Sequence, residues 1–490
     1  MRCLMLLVIS GFLTMSSVSA CTGTDDSGQD APNNNKPVNL ALRNLERSIA
    51  IADAAFENYF NPAGMEMSRF YNPYTKTRSS EKGSVWMYTS SIEASNSILM
   101  ALEAIKDTNP EMYEKHFERY TQRLARLYEC LEYYMGTFTL VSFTQTKEWS
   151  VYAVDRSSTP GGANCNGVLN VYDDQMWLIR ELIDSYEVTG KTEYLAKAEY
   201  LTDYVLDGWD PHRDAKGNEI GGIPWGPGYS TKHSCSNGPM IAPLVMLHDI
   251  YKGKSDQITY RYIDADNKRQ EKTVSKADYY LDFAKKVYAY QFNNLLRPDG
   301  VYADMMGGWS IPGNVPDNLR GEQGIYYEIV DGVKYKANTP LSRAEGEAFT
   351  YNSGTMLSGA ARLYSATGEA HYYKELKDLT DKSFKFFATL DAAVEGYYSY
   401  KIGGFRVWFD CVLMRGYVDA YASYSNSALP IDSFQQNLDY GYENHMYADM
   451  LPSSLLGGWS LDRSKNNVEA MFTFAFATEY AVLSRYISEN

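Results

Sequence analysis

Tyr186-Glu-Val-Thr-Gly190, with Tyr194-Leu195 just behind it, recurs 178 positions downstream as Tyr364-Ser-Ala-Thr-Gly368 followed by Tyr372-Tyr373. Apolar residues flank the first turn at helical spacing. Leu178, Leu182 and Tyr186 precede it, and Leu195, Ala198 and Leu201 follow, so each segment has one face to bury. Each unit therefore reads as helix, Thr-Gly turn, helix. Asp107-Thr-Asn-Pro110, between Leu99 and the pair Tyr113 and Tyr120, is a third and more diverged copy. At about 35 residues per helix and loop, roughly 450 residues accommodate about twelve helices. Period-two strand patterns are scarce; residues 259–274 are the main exception and suggest a short hairpin. The expected fold class is all-α, a toroid of inner and outer helices with a broad groove at one mouth.

A second repeat lies in the loops. Tyr302-Ala-Asp-Met305 with Gly307-Gly-Trp-Ser310 is echoed by Tyr447-Ala-Asp-Met450 with Gly457-Gly-Trp-Ser460. Paired glycines break helices, so these stretches carry Trp and Asp on loops. They can line the groove as sugar-stacking platforms, or Trp309 and Trp459 can plug the bottom of the fold.

The chain has 490 residues, and its formal net charge of −15 disfavours nucleic acid and other polyphosphate partners. Its 42 Tyr and 8 Trp supply flat apolar faces with polar edges, suited both to sugar rings and to packing between helices. Residues 1–20 read as a signal peptide, with an apolar run over residues 4–13. Val18-Ser19-Ala20-Cys21 resembles the bacterial lipobox, which implies cleavage before Cys21 and its lipidation. The expected location is a bacterial membrane, on the cell-surface or periplasmic side, held by that lipid alone. Residues 21–38 are too polar to pack and read as a tether; residues 39–490 read as a single, monomeric catalytic domain.

Cys130, Cys165, Cys235 and Cys411 are spaced too irregularly for a zinc site, and the six His show no paired ligand spacing. No metal and no cofactor are expected. A disulfide between Cys165 and Cys235 is compatible with an oxidising compartment, with buried free thiols the simpler account.

The chemistry points to Asp173 and Asp174, in Asn170-Val-Tyr-Asp-Asp-Gln-Met-Trp177, where a helical pattern begins. Acidic residues in a first turn also have a structural explanation, because the helix dipole and free amides favour them. Shifting by the repeat distance places Asp173 over Tyr351 and Asp174 over Asn352. The hairpin itself therefore does not require the acids, which favours a functional role. Glycosidic cleavage needs one protonated acid and one ionised carboxylate. Neighbouring residues suit the short separation of a retaining mechanism, and their mutual repulsion would raise the pKa of one.

Tyr172-Asp-Asp-Gln-Met-Trp177, Tyr186-Glu-Val-Thr-Gly190, Gly221-Gly-Ile-Pro-Trp225, Lys232-His-Ser-Cys-Ser-Asn-Gly238 and Thr350-Tyr-Asn-Ser-Gly354 together resemble the ordered signatures of glycoside hydrolase family 76. The resemblance spans about residues 80–485. It implies an (α/α)6 barrel, an endo-acting α-1,6-mannanase working with retention on α-mannan, Asp173 as nucleophile and Asp174 as general acid/base. The family commonly has Gln where Ser353 stands and Lys where Arg406 stands, which points to a different chain or branch preference.

Around the pair, Tyr172 and Trp225 are candidates for stacking on sugar. Asn237, Asn352 and Arg406 are candidates for binding hydroxyls, and His233 for contacting sugar. Each has a plainer alternative in core packing, helix capping or a surface ion pair. Two other functions compete: an α-toroid enzyme acting on another glycan, such as a uronic one, and a non-catalytic glycan-binding lipoprotein. An acidic substrate would call for a cluster of Arg and Lys that the sequence lacks, and a binder would need no carboxylate pair.

Overall fold

Thr189 and Thr367 make the same bonds in the two copies of the repeat. Each hydroxyl donates to the carbonyl four residues back, Ser185 O at 2.6 Å and Leu363 O at 2.7 Å, and accepts the N–H two residues on, from Lys191 and Glu369. Gly190 and Gly368 then take left-handed backbone, φ 70° and 69°, and donate to Tyr186 O and Tyr364 O at 2.8 Å. A residue with a Cβ would be strained at that φ, so the turn needs Gly, and it reverses the chain in both places. The diverged copy stops differently. Thr108 donates to Ile105 O, and Pro110 opens the next helix, where its missing N–H costs nothing.

In the computed structural model, which describes residues 36–62, 64–400 and 405–490, these hairpins belong to a chain of twelve α-helices. They are α1 (Lys36–Tyr59), α2 (Val85–Ile105), α3 (Pro110–Leu131), α4 (Tyr172–Thr189), α5 (Thr192–Asp207) and α6 (Gly238–Tyr251), followed by α7 (Lys276–Leu295), α8 (Thr350–Thr367), α9 (Ala370–Phe387), α10 (Arg406–Tyr421), α11 (Ala428–His445) and α12 (Ala470–Glu489). The fold is all-α in class. Residues 37–490 form one compact unit. The residues read as signal peptide, lipidation site Cys21 and most of the tether lie outside the described residues, although α1 begins at Lys36, inside the stretch read as tether.

The helices divide into two kinds. α6 is buried over nearly its whole length and α12 over residues 470–481, whereas α9 buries a single stripe that includes Tyr372, Leu376 and Leu379. A helix apolar all round must be covered on every side, and one with a single stripe has a wet face. The neighbours agree. α2 packs on α4, α4 on α6, α6 on α8, α8 on α10, α10 on α12, and α12 back on α2, while α3, α5, α7, α9 and α11 each pack on the helix before them. α8 and α10 meet backbone to backbone: a Cβ at Gly354 would lie 2.5 Å from Val412 O, and one at Gly416 would lie 2.5 Å from Gly354 O.

Long loops precede each even-numbered helix and carry short strands. Between α6 and α7, residues 257–263 and 269–275 form the expected hairpin. A second hairpin, residues 135–141 against 146–152, exceeds the expectation from sequence, although its pattern is there: Phe138 and Leu140, then Trp149 and Val151, are buried in period two. Trp309 and Trp459 sit in the loops before α8 and α12, at the same helix ends as the Asp pair. They therefore do not plug the opposite end. Trp309 is 48% exposed, while Trp459 is half-buried, donating to His445 O at 2.6 Å beside Tyr74.

Candidate active site

Asp173 and Asp174 occupy the first turn of α4. The first free N–H of that helix, on Tyr172, donates at 2.8 Å to Trp225 O, so the loop over residues 221–231 is bonded to the helix start. Asp173 is half-buried and Asp174 is 6% exposed. Burial dominates both. It raises Asp173 to about 6, against the opposing pull of the Cys235 thiol, nearby backbone N–H groups and the Trp225 indole N–H, all of which favour its ionised form. Asp174 has no such donors; burial, then repulsion from Asp173, pushes it well above the carboxylate range. A helix dipole acting alone would lower both. The two neighbours are thus set apart, Asp173 the readier to ionise and Asp174 the readier to hold a proton.

Trp225 lies half-buried with its ring 4.9 Å from His233 and 4.6 Å from Tyr229. His233 is kept neutral at ordinary pH because burial lowers it to about 4, and its Nε2 lies 3.0 Å from the Thr231 hydroxyl. Buried lysines hold the loop that carries Trp225. Lys336 donates to Pro227 O and Tyr229 O at 3.1 and 3.0 Å, and Lys232 to Gly221 O at 2.6 Å and to Asp210 at 2.9 Å. Neither lysine stands out in the sequence as a support for this loop. Lys336 is 107 residues from Tyr229, with no motif linking them, and only the fold brings it beneath the loop.

Several candidate roles are corrected. Tyr172 is 2% exposed, with its ring 5.1 Å from Tyr204, so it packs in the core and cannot stack on a ligand. Asn237 is fully buried: its amide donates to Ile223 O and His233 O while its oxygen accepts from Ile223 N, leaving nothing for a hydroxyl. It is a clamp that fixes the Trp225 loop to the start of α6. Asn352 is also fully buried, its amide turned toward Tyr302 O and Ala303 O. Ser353 is buried and does not reach a groove. Arg406 is exposed at the start of α10, on the rim of a cavity of about 590 Å³. Trp225 and His233 are half-buried and Arg406 is exposed, so none of the three is sealed in the core.

Three residues join the site unannounced. Cys235 is a free thiol like Cys165, so no disulfide joins the two cysteines, and Asp173 and Tyr351 both act on it. Tyr351 is the residue that the repeat aligns with Asp173, and the ring of helices brings the two positions to one place. Asp304, of the Tyr302-Ala-Asp-Met305 motif, is half-buried and raised to about 6 by burial and by Glu347. Its strand neighbour Met305 pairs with His233. The signal for Asp304 was its repeated motif, which the nearby Trp made look like a stacking loop.

The Glycosyl hydrolase family 76 model matches residues 144–254 and 321–451, which include the Asp pair, the Trp225 loop, Cys235 and Tyr351. No curated protein matches the chain. Among solved structures, a glycoside hydrolase family 76 mannosidase from Bacteroides thetaiotaomicron is 19% identical with a TM-score of 0.63, covering 90% of this chain and 98% of its own. The α-1,6-mannanase of Salegentibacter sp. HEL1_6 is 17% identical with a TM-score of 0.57, covering 90% and 99%. A variant of that enzyme described as inactive, with two consecutive aspartates changed to asparagine, was solved with α-1,6-mannotriose; it is 17% identical, with a TM-score of 0.56 and the same coverage. At such identities the structures bear on fold, and the matched family model bears on kinship. The chain belongs to glycoside hydrolase family 76.

Proposed function

We propose that the protein is an endo-acting α-1,6-mannanase that cleaves α-mannan with retention, on an (α/α)6 barrel whose inner ring is α2, α4, α6, α8, α10 and α12. The observation that carries this reading is the unequal pair on α4. Asp173, with donors turned toward it, is suited to attack an anomeric carbon as a carboxylate. Asp174, buried without donors, is suited to protonate the leaving oxygen and then to take a proton from water. Trp225 offers a ring face beside the pair. The mannanase that shares the fold, and its inactive variant with paired aspartates changed, support the substrate class.

Incubation with linear α-1,6-mannan tests it. The expected result is a rapid fall in chain length, with oligosaccharide products whose first-formed anomer is α by proton NMR. A β first product would sink retention, release of mannose alone would sink endo action, and intact mannan would sink the enzyme reading.

The pH profile provides a further check. Asp173 must be ionised, so kcat/KM should fall as pH drops through about 6, where it takes up its proton. Asp174 must be protonated, and it is the more strongly raised of the two, so the alkaline limb should lie at higher pH than the acid limb. Trp225→Phe removes an N–H that favours ionised Asp173, so it should move the acid limb to higher pH. An unmoved or lowered limb would show that the indole does not act on this carboxylate.

A further inference from the structure

The cavity at the start of α10 has a floor and a rim. Phe434, Asn437, Phe476 and Glu479, from α11 and α12, are 4, 8, 2 and 3% exposed and close it below. Glu347, Ala393, Arg406 and Ser454 are exposed around its opening. Among the described residues Glu479 makes no hydrogen bond or ion pair, and the groups acting on it electrostatically, Asp410 and Glu93, are themselves carboxylates. A buried polar group without a partner is costly, and this one lines the cavity. Burial, with those two neighbours, pushes Glu479 well above the carboxylate range, so it presents one donor and one acceptor rather than a charge. Asn437 Oδ1 also lacks a partner, while its amide donates to Tyr398 O at 2.8 Å. Tyr400 stacks on Phe434 at 4.4 Å, giving an apolar face beside these polar groups.

The chemistry narrows the occupant. Carboxylates of Glu347 and Asp391 outnumber Arg406 around the space, so an anion is disfavoured. Among the described residues no group is arranged to hold a metal ion. An uncharged ring with hydroxyls on its edge and an apolar face fits both the wall and the floor, and pockets of about 300–1,000 Å³ are usual for such ligands. Glu347 on the rim acts electrostatically on Asp304, and Asp304 and Asp173 both act on Cys235.

We propose that this blind pocket holds a terminal, uncharged hexopyranosyl unit of the glycan, with Glu479 at its floor bonding the ring hydroxyls. The inference rests on the reading of Asp173 and Asp174 as the cleavage site. The unit is taken as terminal because the buried Phe434, Asn437, Phe476 and Glu479 stand in the way of a chain continuing inward. It can come from a side branch or from the non-reducing end.

Calorimetric binding to the full chain carrying Asp174→Asn separates these sources, using linear α-1,6-mannohexaose and the same backbone bearing one mannosyl branch. Glu479→Ala should weaken binding about tenfold, the worth of one or two buried hydrogen bonds. Ala393→Trp, on the exposed rim, should weaken it similarly by occlusion without disturbing the core, and so covers the case in which Glu479→Ala fails to fold. Loss confined to the branched glycan assigns the pocket to a branch; loss for both assigns it to the chain end. Equal affinities with and without these changes, or no binding of either glycan to the parent, would overturn the proposal. Turnover retained by Asp173→Asn and Asp174→Asn would instead remove the cleavage reading, whatever the calorimetry gave.

Discussion

Asp174→Asn should lower mannan turnover by about 10²- to 10⁴-fold, the usual worth of general acid/base assistance, while the fold persists. The change removes no hydrogen bond, since Asp174 is buried without donors, and asparagine is nearly isosteric with the protonated acid. An aryl mannoside with a good leaving group needs little protonation, so the first step should be partly restored and a glycosyl-enzyme should accumulate on Asp173. Added azide can then attack that intermediate from the vacated side and give a glycosyl azide of retained configuration. Asp173→Asn should cost as much or more, show no covalent intermediate by mass spectrometry, and give only an inverted azide product. The opposite pattern would exchange the two roles. Near-normal turnover in both variants would reduce the pair to a helix-start motif.

Arg415→Met should destabilise the protein by about 3–5 kcal/mol, because it strands buried carboxylates. Arg415, on α10, is 4% exposed and pairs with Glu93 of α2 and, at 3.9 Å, with Glu181 of α4. Burial opposes its charge, yet Glu93 and Glu181 hold it above its ordinary range. Glu181, with burial as the larger cause and Asp184 and Glu93 adding to it, is raised to about 8. Trp408 donates to Glu93 at 2.9 Å, and its ring meets Trp177 at 4.8 Å, one helical turn beyond the Asp pair. The cluster therefore ties three helices together beneath the site. The urea midpoint should fall sharply in Arg415→Met, and adding Glu93→Gln should recover part of the loss, because one stranded charge is gone. A loss under about 1 kcal/mol would mean that water reaches the cluster, as for an exposed pair.

Much of the fold was legible because its cause is local. The Thr-Gly turns fix their own hydrogen bonds within a few residues, and a helical apolar stripe declares which face must be covered. The hairpin over residues 135–152 could also have been read, since Phe138, Leu140, Trp149 and Val151 alternate in period two. The site was legible only in part. Asp173 and Asp174 stood out because the aligned repeat has Tyr351 and Asn352 there, and Trp225 because it lies in an ordered set of family motifs. Tyr172, Asn237 and Asn352 were misassigned because a polar edge or an amide looks the same in sequence whether it meets a ligand or a backbone carbonyl.

By itself the sequence determined an all-α chain of helix hairpins, membership of its family, and the adjacent carboxylates on one helix start. Only the tertiary structure decided which of the two carboxylates is the readier acid, because that depends on burial and on donors from Trp225 and Cys235, which lie far from the pair along the chain. It likewise decided that Asn237 is a clamp, that Tyr351 and Cys235 stand beside Asp173, and that Glu479 lines a cavity. Desolvation and hydrogen-bond satisfaction depend on everything packed around an atom, and most of those neighbours are distant in the chain.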